Sequence, residues 1–491
     1  MPFLPERRPV HPLETALVWV VAMNLCLLPW ALGDMHAWSQ ILGLGVSAGA
    51  LILSQWPRAW NDESSESLPP FARLIRFPVF WAGLVLLGYV AVQGLNPAWH
   101  YATDGRSWWI EPRAHLAWLP SGIDAPFSIS NPWRALVVYG TVWCLVCATW
   151  SGFLRRHSWR ILSGILVGNA ALVALLGFLE KLAGAERIFW TFAAHGGYFV
   201  ASFIYRNHAG AYFNLLTALA AGVAWWHLRR AQRRLEGPGA GVVFGFLAFW
   251  LGAIVIYSFS RTSIFLLLSF TLLVGVGFAV HLATGRRQGL RRAEATLLIL
   301  ALVGIASIPV VTLETEGIWE RFAAFAADPG ASLADRAMAR KAAGEMRRER
   351  PLLGWGAGCF RYGFPNYTRW HPEIDHTAGS RVRAYWEHAH DDWLEFPVEL
   401  GELGMLPIGF VFGWGTIQLV RRRFWNHPVS FCSVLGCLLL LTHAGFDFVF
   451  QNPAILITSC VLFFGAIRWA ELEGTVPTKR IKSANRSGFQ N

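Results

Sequence analysis

Titratable side chains gather in one short stretch of a sequence that is otherwise mostly apolar. Residues 385–395 contain two histidines, His388 and His390, and four carboxylates, Asp391 and Asp392 among them. A neutral imidazole can accept a proton from a hydroxyl group, and a neighbouring carboxylate can fix its tautomer. We therefore expect general-base chemistry here, with His390 or His388 as the base and Asp391 beside it.

Two other interpretations of the same residues stay open. The order His388, His390, Asp391 resembles the start of a metal-binding HxHxDH pattern, but Trp393 stands where the last histidine belongs. A surface cluster of histidines without any chemistry is the other possibility. We expect no metal and no cofactor.

Two arginines lie at the ends of predicted membrane helices. Arg206 precedes Asn207 and His208, and Arg261 occupies a very short turn. The planar guanidinium group suits phosphate oxygens, so these arginines are candidates for binding a phosphate-containing ligand. Snorkelling toward lipid headgroups is the alternative for each of them.

A further pair of ionisable residues falls within a predicted membrane helix. His443 and Asp447 are four positions apart, which predicts that both lie on one face of that helix. Ionisable residues inside a membrane are usually functional. A structural pair that braces the helix bundle is the competing interpretation.

The composition places the chain among polytopic membrane proteins. Of its 491 residues 54% are hydrophobic and only 15% are charged, against about 25% charged in ordinary soluble proteins. The mean hydropathy is +0.38. The net charge of +11 comes largely from arginines between alternate helices, which marks the cytoplasmic loops and argues against nucleic-acid binding.

We predict an all-α fold of about twelve membrane helices, each needing roughly 20 apolar residues. The first could pass for a signal peptide, but its apolar run is long, so we expect a membrane anchor. The charge pattern and the even helix count place both termini in the cytoplasm. The predicted spans are residues 14–33, 36–55, 77–95, 132–153, 160–183, 208–228, 241–258, 262–284, 293–312, 396–420, 430–448 and 453–470.

Four parts follow from these spans. Residues 1–312 hold the first nine helices, and residues 313–395 form one large periplasmic loop before the tenth. Residues 396–472 hold the last three helices. Residues 473–491 form a polar cytoplasmic tail that we expect to be disordered.

Three loop features allow more than one interpretation. Residues 334–350 predict an exposed basic helix, either a solvated face or a docking surface for an anionic lipid or glycan. Gly354, Gly356 and Gly358 predict a tight turn rather than a phosphate-binding loop. The tryptophans of a predicted outer loop could be interface anchors or sugar-stacking platforms. They are Trp99, Trp108, Trp109 and Trp118.

Several motifs, taken in order along the chain, resemble the O-antigen ligase/polymerase superfamily of bacterial membrane glycosyltransferases. One departure is Asp391, where that superfamily usually has an amide or hydroxyl side chain. A carboxylate there would raise the basicity of the histidine or alter the choice of acceptor. The motifs are Arg206–Gly210, Ser260–Thr262, Pro351–Pro365, His388–Leu394, Glu399–Gly401 and Thr442–Phe448.

The resemblance implies a GT-C-like inner-membrane enzyme acting at the periplasmic face. Its donor would be a glycan on undecaprenyl pyrophosphate, and its acceptor lipid A-core or another glycan. It implies that Arg206, Arg261, Asn207 and His208 bind the pyrophosphate, and that His390 or His388 activates the acceptor hydroxyl. It also implies supporting roles for Asp392, Glu399, His443 and Asp447.

Other functions remain open at this point. The same motifs fit a polymerase of repeat units or an enzyme that glycosylates proteins. A transporter of lipid-linked sugars is the alternative from a different class. It would need ionisable residues near the middle of the membrane, whereas the polar groups here gather at its boundary.

Overall fold

The computed structural model describes residues 10–56, 69–193, 199–284, 329–375 and 385–474, and these ranges are mostly helical. The helices are α1 (Pro12–Trp30), α2 (Ala37–Ser54), α3 (Pro70–Ile75), α4 (Pro78–Leu95), α5 (Pro132–Gly152), α6 (Arg156–Leu182), α7 (Arg206–Arg234), α8 (Gly239–Tyr257), α9 (Arg261–Thr284), α10 (Pro329–Glu349), α11 (Phe360–Gly363), α12 (Pro365–Thr368), α13 (Pro372–Asp375), α14 (Asp392–Arg421), α15 (Pro428–Ala444) and α16 (Pro453–Gly474).

Proline sets the start of many of these helices. Pro78, Pro132 and Pro428 occupy the first turns of α4, α5 and α15. The proline ring presets the helical φ, and its missing N–H is no loss in a first turn, where that group has no partner within the helix. The apolar segments therefore begin as helices at defined residues.

The structure confirms a mostly helical polytopic membrane protein. Among the described residues, eight helices are long and apolar enough to cross a membrane, namely α1, α2, α4, α5, α6, α8, α14 and α16. Shorter apolar helices are Arg261–Val276, within α9, and α15. The predicted ninth span, residues 293–312, lies outside the described residues, so the count of twelve stays a prediction.

Helix α7 is at the centre of the bundle. It packs against α6, α8, α9 and α15, and most of its side chains between Asn207 and Ala224 are buried. Because protein surrounds the helix, it can carry polar groups: the Asn214 amide donates to the carbonyl of Ser263 over 2.9 Å. Close packing also uses glycine, since a Cβ at Gly222 would lie 2.9 Å from Cys432 on α15.

A small β-sheet covers one end of the bundle, which we call the sheet end. Strand β1 (Trp99–Thr103) pairs antiparallel with β2 (Trp108–Pro112) and parallel with β3 (Ile123–Asp124). A separate hairpin joins β4 (Arg187–Ile188) to β5 (Phe192–Ala193). Aromatic side chains of β1 and β2 pack onto Cys359 and Tyr362. The sheet thereby fixes the segment that follows α10.

The outer-loop tryptophans do not act as a group. Trp99 stacks on Trp355 with ring centroids 5.0 Å apart, and Trp108 contacts Tyr362 and Tyr385. These two rings hold parts of the protein together, and their use as interface anchors or sugar-stacking platforms stays a prediction. Trp109 and Trp118 are 43% and 74% exposed, and for them both interpretations stand.

Helix α14 is kinked at Gly401, and a neighbouring loop packs against the kink. Gly401 has φ of +65° within the helix, a conformation that favours glycine. The amide of Glu402 donates to the carbonyl of Pro351 over 2.8 Å, and the amide of Trp355 donates to Val398 over 2.9 Å. Gly354, in the docked loop, also has positive φ, as the predicted tight turn requires.

Candidate functional site

Asp447 is the central acid of the site. Helix α15 ends at Ala444, and Asp447 follows it in the connection to α16 with only 1% of its surface exposed. The prediction that His443 and Asp447 share a helix face is therefore wrong, because the helix ends between them. The freed backbone lets the Asp447 carboxylate turn toward the loop before α14.

His390 is the residue that Asp447 holds. The His390 Nδ1 lies 3.0 Å from the Asp447 Oδ1, and 24% of the His390 side chain is exposed. Within the described part of the chain, no hydrogen bond engages Nε2. The carboxylate thus fixes the tautomer with hydrogen on Nδ1 and leaves Nε2 as a proton acceptor. His390 has φ of +51°, an uncommon backbone for a non-glycine residue that is frequent at functional sites.

Three more polar side chains converge on the other carboxylate oxygen. Asn207 donates its amide to Asp447 Oδ2, and the Tyr205 hydroxyl donates to it over 3.3 Å. The Arg336 guanidinium lies 3.9 Å away. Burial favours the neutral acid, but the hydrogen bond and charge of His390, with further charge from His443 and Arg336, hold the pKa of Asp447 below its usual range. Asp447 is therefore ionised at neutral pH.

His388 has a different partner. Its Nδ1 lies 2.7 Å from Glu395 Oε1, while Glu395 Oε2 accepts from the amide of Ala389 over 2.7 Å. Burial alone would lower the pKa of His388, but the charge and hydrogen bond of Glu395 overcome it and raise the pKa. His388 is therefore a cation over a wider pH range than an ordinary histidine, which suits it to binding negative charge.

Phe448 joins the two histidines into one site. Its ring stacks on His388 with centroids 4.5 Å apart and meets His390 edge-on at 4.8 Å. Tyr205 stacks on it at 5.3 Å, and the His208 Nε2 lies 3.2 Å from the Phe448 carbonyl. The predicted residues His388, His390 and His208 are thus brought together around one ring that the sequence did not single out.

Helix α10 contributes two arginines to the same site. Arg336 donates to the carbonyl of Phe446 over 2.8 Å, and Arg340 donates to the carbonyl of Gly445. Ala343 and Met346, farther along α10, are buried. The prediction of a solvated face is wrong for Arg336 and Arg340, because both side chains point toward the turn after α15. Their spacing of four residues was the signal available in the sequence.

Asp391 is paired with an arginine rather than a histidine. Its carboxylate lies 3.0 Å from the Arg340 Nε. The expectation that Asp391 raises the basicity of the histidine is not what the geometry shows, because Asp447 occupies that position. Burial raises the pKa of Asp391 and the Arg340 charge opposes the rise. Asp391 is placed to orient Arg340.

Arg206 and Arg261 start two helices that touch each other. Arg206 is the first residue of α7 and Arg261 the first of α9. A Cβ at Gly210 would lie 2.3 Å from the Ser263 hydroxyl, so the first turns of the two helices are in close contact. Helix starts present free amides and positive dipole ends to anions. Arg206 therefore adjoins Asn207, and Arg261 lies at the start of a helix that packs against the same helix, α7.

The remaining predicted residues lie behind the two histidines. Asp392 Oδ2 accepts from the amide of Phe450 over 2.8 Å, and Glu399 Oε1 accepts from the amide of Phe360 over 3.1 Å. His443 is buried, and neither ring nitrogen has a hydrogen-bond partner in the described residues. Asp392 and Glu399 anchor backbone around the site, and their part in any reaction stays a prediction.

The two histidines are held by separate acids. The Nδ1 atoms of His388 and His390 turn to different carboxylates. Across the described ranges, no three histidine, cysteine or acidic side chains are grouped as metal ligands.

Comparison with protein-family models gives a match. The family model described as O-antigen ligase matches residues 246–409. This range includes Arg261, both arginines of α10, and both histidines of the loop before α14. None of the curated proteins matches the chain.

Proposed function

We propose a reaction for this chain, which belongs to the O-antigen ligase superfamily by its match over residues 246–409. The superfamily supports a glycosyltransferase-like enzyme that uses a lipid-linked glycan and a glycan acceptor. The specific reaction we propose is transfer of an oligosaccharide or polysaccharide from undecaprenyl pyrophosphate to an acceptor hydroxyl, as in an O-antigen ligase. No metal or nucleotide takes part in the proposal, because the donor carries its own leaving group.

The observation that carries the proposal is the buried pair of His390 and Asp447. It presents an imidazole whose Nε2 has no hydrogen-bond partner in the described residues, and it lies beside the arginine-bearing start of α7. An activated hydroxyl needs such a base, and a departing pyrophosphate needs positive charge nearby. The pair supports a base and a leaving-group site in one place.

The bond changes follow from this arrangement. The acceptor oxygen bonds to the anomeric carbon while the bond from that carbon to the phosphate oxygen breaks. The hydroxyl proton moves to Nε2 of His390, and Asp447 stabilises the resulting imidazolium. The bonding electrons leave with undecaprenyl pyrophosphate, whose charge Arg206 and Arg261 stabilise, with Asn207 and His208 lining the same helix start.

We assign the role of base to His390 rather than His388. A base must be neutral before it takes a proton, whereas Glu395 holds His388 toward the cationic form. His388 is better suited to contact an oxygen of the donor or acceptor that carries negative charge. Arg336 and Arg340 add positive charge on the same side as Asp447.

Orientation in the membrane is part of the proposal. We place the sheet end at the periplasmic face of a bacterial inner membrane and both termini in the cytoplasm. Arginines at the other end of the bundle, such as Arg233 and Arg234 in the last turn of α7, support this orientation through the positive-inside rule. Residues 313–395 then form the periplasmic loop of the proposed four-part organisation.

The test is the glycan profile of a strain that lacks this chain. We expect full-length glycan to accumulate on the undecaprenyl carrier, and we expect the wild-type chain but not His390→Ala to reverse it. Accumulation of single repeat units would instead identify a polymerase, and loss of glycan from proteins would identify a protein glycosyltransferase. An unchanged profile, or full reversal by His390→Ala, would contradict the proposed catalytic site.

A further inference from the structure

A cavity of about 130 Å³ with polar and apolar walls lies next to His388. It is formed by α2, α5, α14, α16, residues 358–361 and the turn before α16. Arg361, His388 and Gln451 border it, together with the rings of Tyr139 and Phe450. Neither Asp447 nor His390 reaches it, so it is a compartment next to the proposed catalytic pair.

The carboxylates around this cavity already pair with other groups of the protein. Glu395 binds His388 and the amide of Ala389, Glu399 accepts from the amide of Phe360, and Glu387 lies 2.9 Å from Arg361. A ligand therefore meets few unoccupied acidic groups inside the cavity. The available hydrogen-bond donors therefore determine which kind of ligand binds.

Arg134 also uses its hydrogen-bond donors within the protein. Its Nε donates to Gln40 over 2.9 Å, and its terminal nitrogens donate to the carbonyls of Ser128, Ile129 and Met35. Four donations use most of the five N–H groups of a guanidinium. Arg134 thus braces the cavity wall and is not the group that takes a ligand.

Gln451 and Arg361 each keep a donor for a ligand. Gln451 Nε2 is buried and has no hydrogen-bond partner among the described residues. Arg361 uses Nε on the Tyr385 hydroxyl and Nη2 on Glu387, and within the described ranges its Nη1 makes no hydrogen bond. A buried amide without a partner is costly, so an acceptor-bearing ligand would satisfy it.

The size and charge of the cavity further limit which ligands can bind. At about 130 Å³, the cavity has room for a carboxylate. The guanidinium of Arg361 and the cationic tendency of His388 favour an anion. A planar carboxylate matches both the volume and the guanidinium geometry.

We propose that this cavity, bordered by Arg361 and Gln451, binds a carboxylate carried by the acceptor glycan. The acceptor would therefore contain a uronic acid or a similar acidic sugar. The assignment of the ligand to the acceptor rests on the proposed function, which places the donor pyrophosphate on the Asp447 side of Phe448.

The experiment uses the purified full-length chain in lipid nanodiscs and two matched probes. Galacturonate and galactose differ only in the carboxylate, and saturation-transfer NMR measures the binding of each. We expect galacturonate to bind at least about tenfold more tightly than galactose, because hydrogen bonds to a charged group are the stronger ones. Equal binding of the two sugars would overturn the proposal.

Two substitutions at one residue test the site. Gln451→Met keeps the length of the side chain without the donor, and Gln451→Glu adds a like charge. We expect galacturonate binding to fall about tenfold in Gln451→Met and further in Gln451→Glu. Gln418→Glu, near the other end of α14, makes the same change as a control and should bind galacturonate as wild type does. Wild-type binding by both Gln451 variants would overturn the proposal.

A parallel measurement separates this inference from the proposed function. Binding of undecaprenyl pyrophosphate in the same nanodiscs should be unchanged in Gln451→Met. A large loss there would mean that the cavity takes the pyrophosphate, which overturns the acceptor assignment. If the proposed reaction is wrong, transfer activity will survive in His390→Ala. The sugar-binding measurement does not require transfer activity, so the two proposals can fail separately.

Discussion

His390 and Asp447 are 57 residues apart in the chain, and their side chains meet at 3.0 Å. One comes from the loop before α14 and the other from the turn after α15. Because the carboxylate is buried and ionised, it can set the tautomer of the imidazole and stabilise its protonated form. The pair therefore yields the most direct prediction.

Asp447→Asn should lower the transfer rate by about 10³–10⁴-fold. The amide keeps the size of the side chain but favours the wrong tautomer of His390. Initial rates with a lipid-linked donor measure this effect, and membrane levels of the variant check its folding. The double variant with His390→Ala should be no slower than His390→Ala alone, because the two residues act as a unit. Asp335→Asn, at an exposed acid of α10, is the control.

The pair of His388 and Glu395 should make stability depend on pH. The folded-state pKa of His388 lies above its ordinary value near 6.5. The stabilisation is therefore complete below about pH 6.5 and is lost as the pH rises through the raised folded-state pKa. We expect the thermal midpoint to fall over that pH range, and to fall less in Glu395→Gln. Identical slopes for the two proteins would contradict the assignment.

Arg261→Lys should reduce activity at least about tenfold while membrane levels stay normal. Lysine keeps the charge but loses the planar pair of donors that grips phosphate oxygens. Transfer rates at saturating acceptor measure the loss, and Arg421→Lys at the opposite end of α14 serves as the control. Wild-type activity in Arg261→Lys would remove the pyrophosphate role from this residue.

Gly401→Ala should destabilise the protein by about 1–3 kcal/mol or more. Gly401 has φ of +65°, and a Cβ there would lie 2.4 Å from the carbonyl of Leu352. Thermal unfolding in detergent measures the change. Gly409→Ala is a matched control on the same helix, because nothing lies within 4 Å of its Cβ position. Equal midpoints for the two variants would show that the kink tolerates a side chain.

Treatment with a chelator should leave the transfer rate intact. The prediction rests on the described residues, in which no three histidine, cysteine or acidic side chains are grouped as metal ligands. Rates before and after exposure to EDTA provide the measurement. A loss of activity that zinc restores would support the interpretation of His388 and His390 as metal ligands.

The sequence predicted the positions of the helices better than the contacts between side chains. Apolar runs locate the helices, and His388, His390, Arg206 and Arg261 were all identified as candidates from residue type and spacing. Asp447 was misplaced because periodicity carried α15 beyond Ala444, whereas the helix ends there. Spacing within a helix cannot show a contact that forms only after the chain has turned.

The aromatic and basic residues of the site were harder to find. Phe448 looks like any apolar residue near a helix end, and its role depends on four rings that arrive from two other segments. Arg336 and Arg340 were seen as a charged stripe, but a single sequence does not reveal what that stripe faces. Such assignments require the tertiary structure.

The order in which the chain is made has a consequence for the cell. The proposed base, His390, is synthesised well before Asp447, and Asp447 is followed closely by α16, the final described helix. A nascent chain that has inserted only through α14 therefore holds His390 without the carboxylate that activates it. Unfinished copies in the membrane would be unable to consume lipid-linked sugar, and activity would begin only when synthesis is nearly complete.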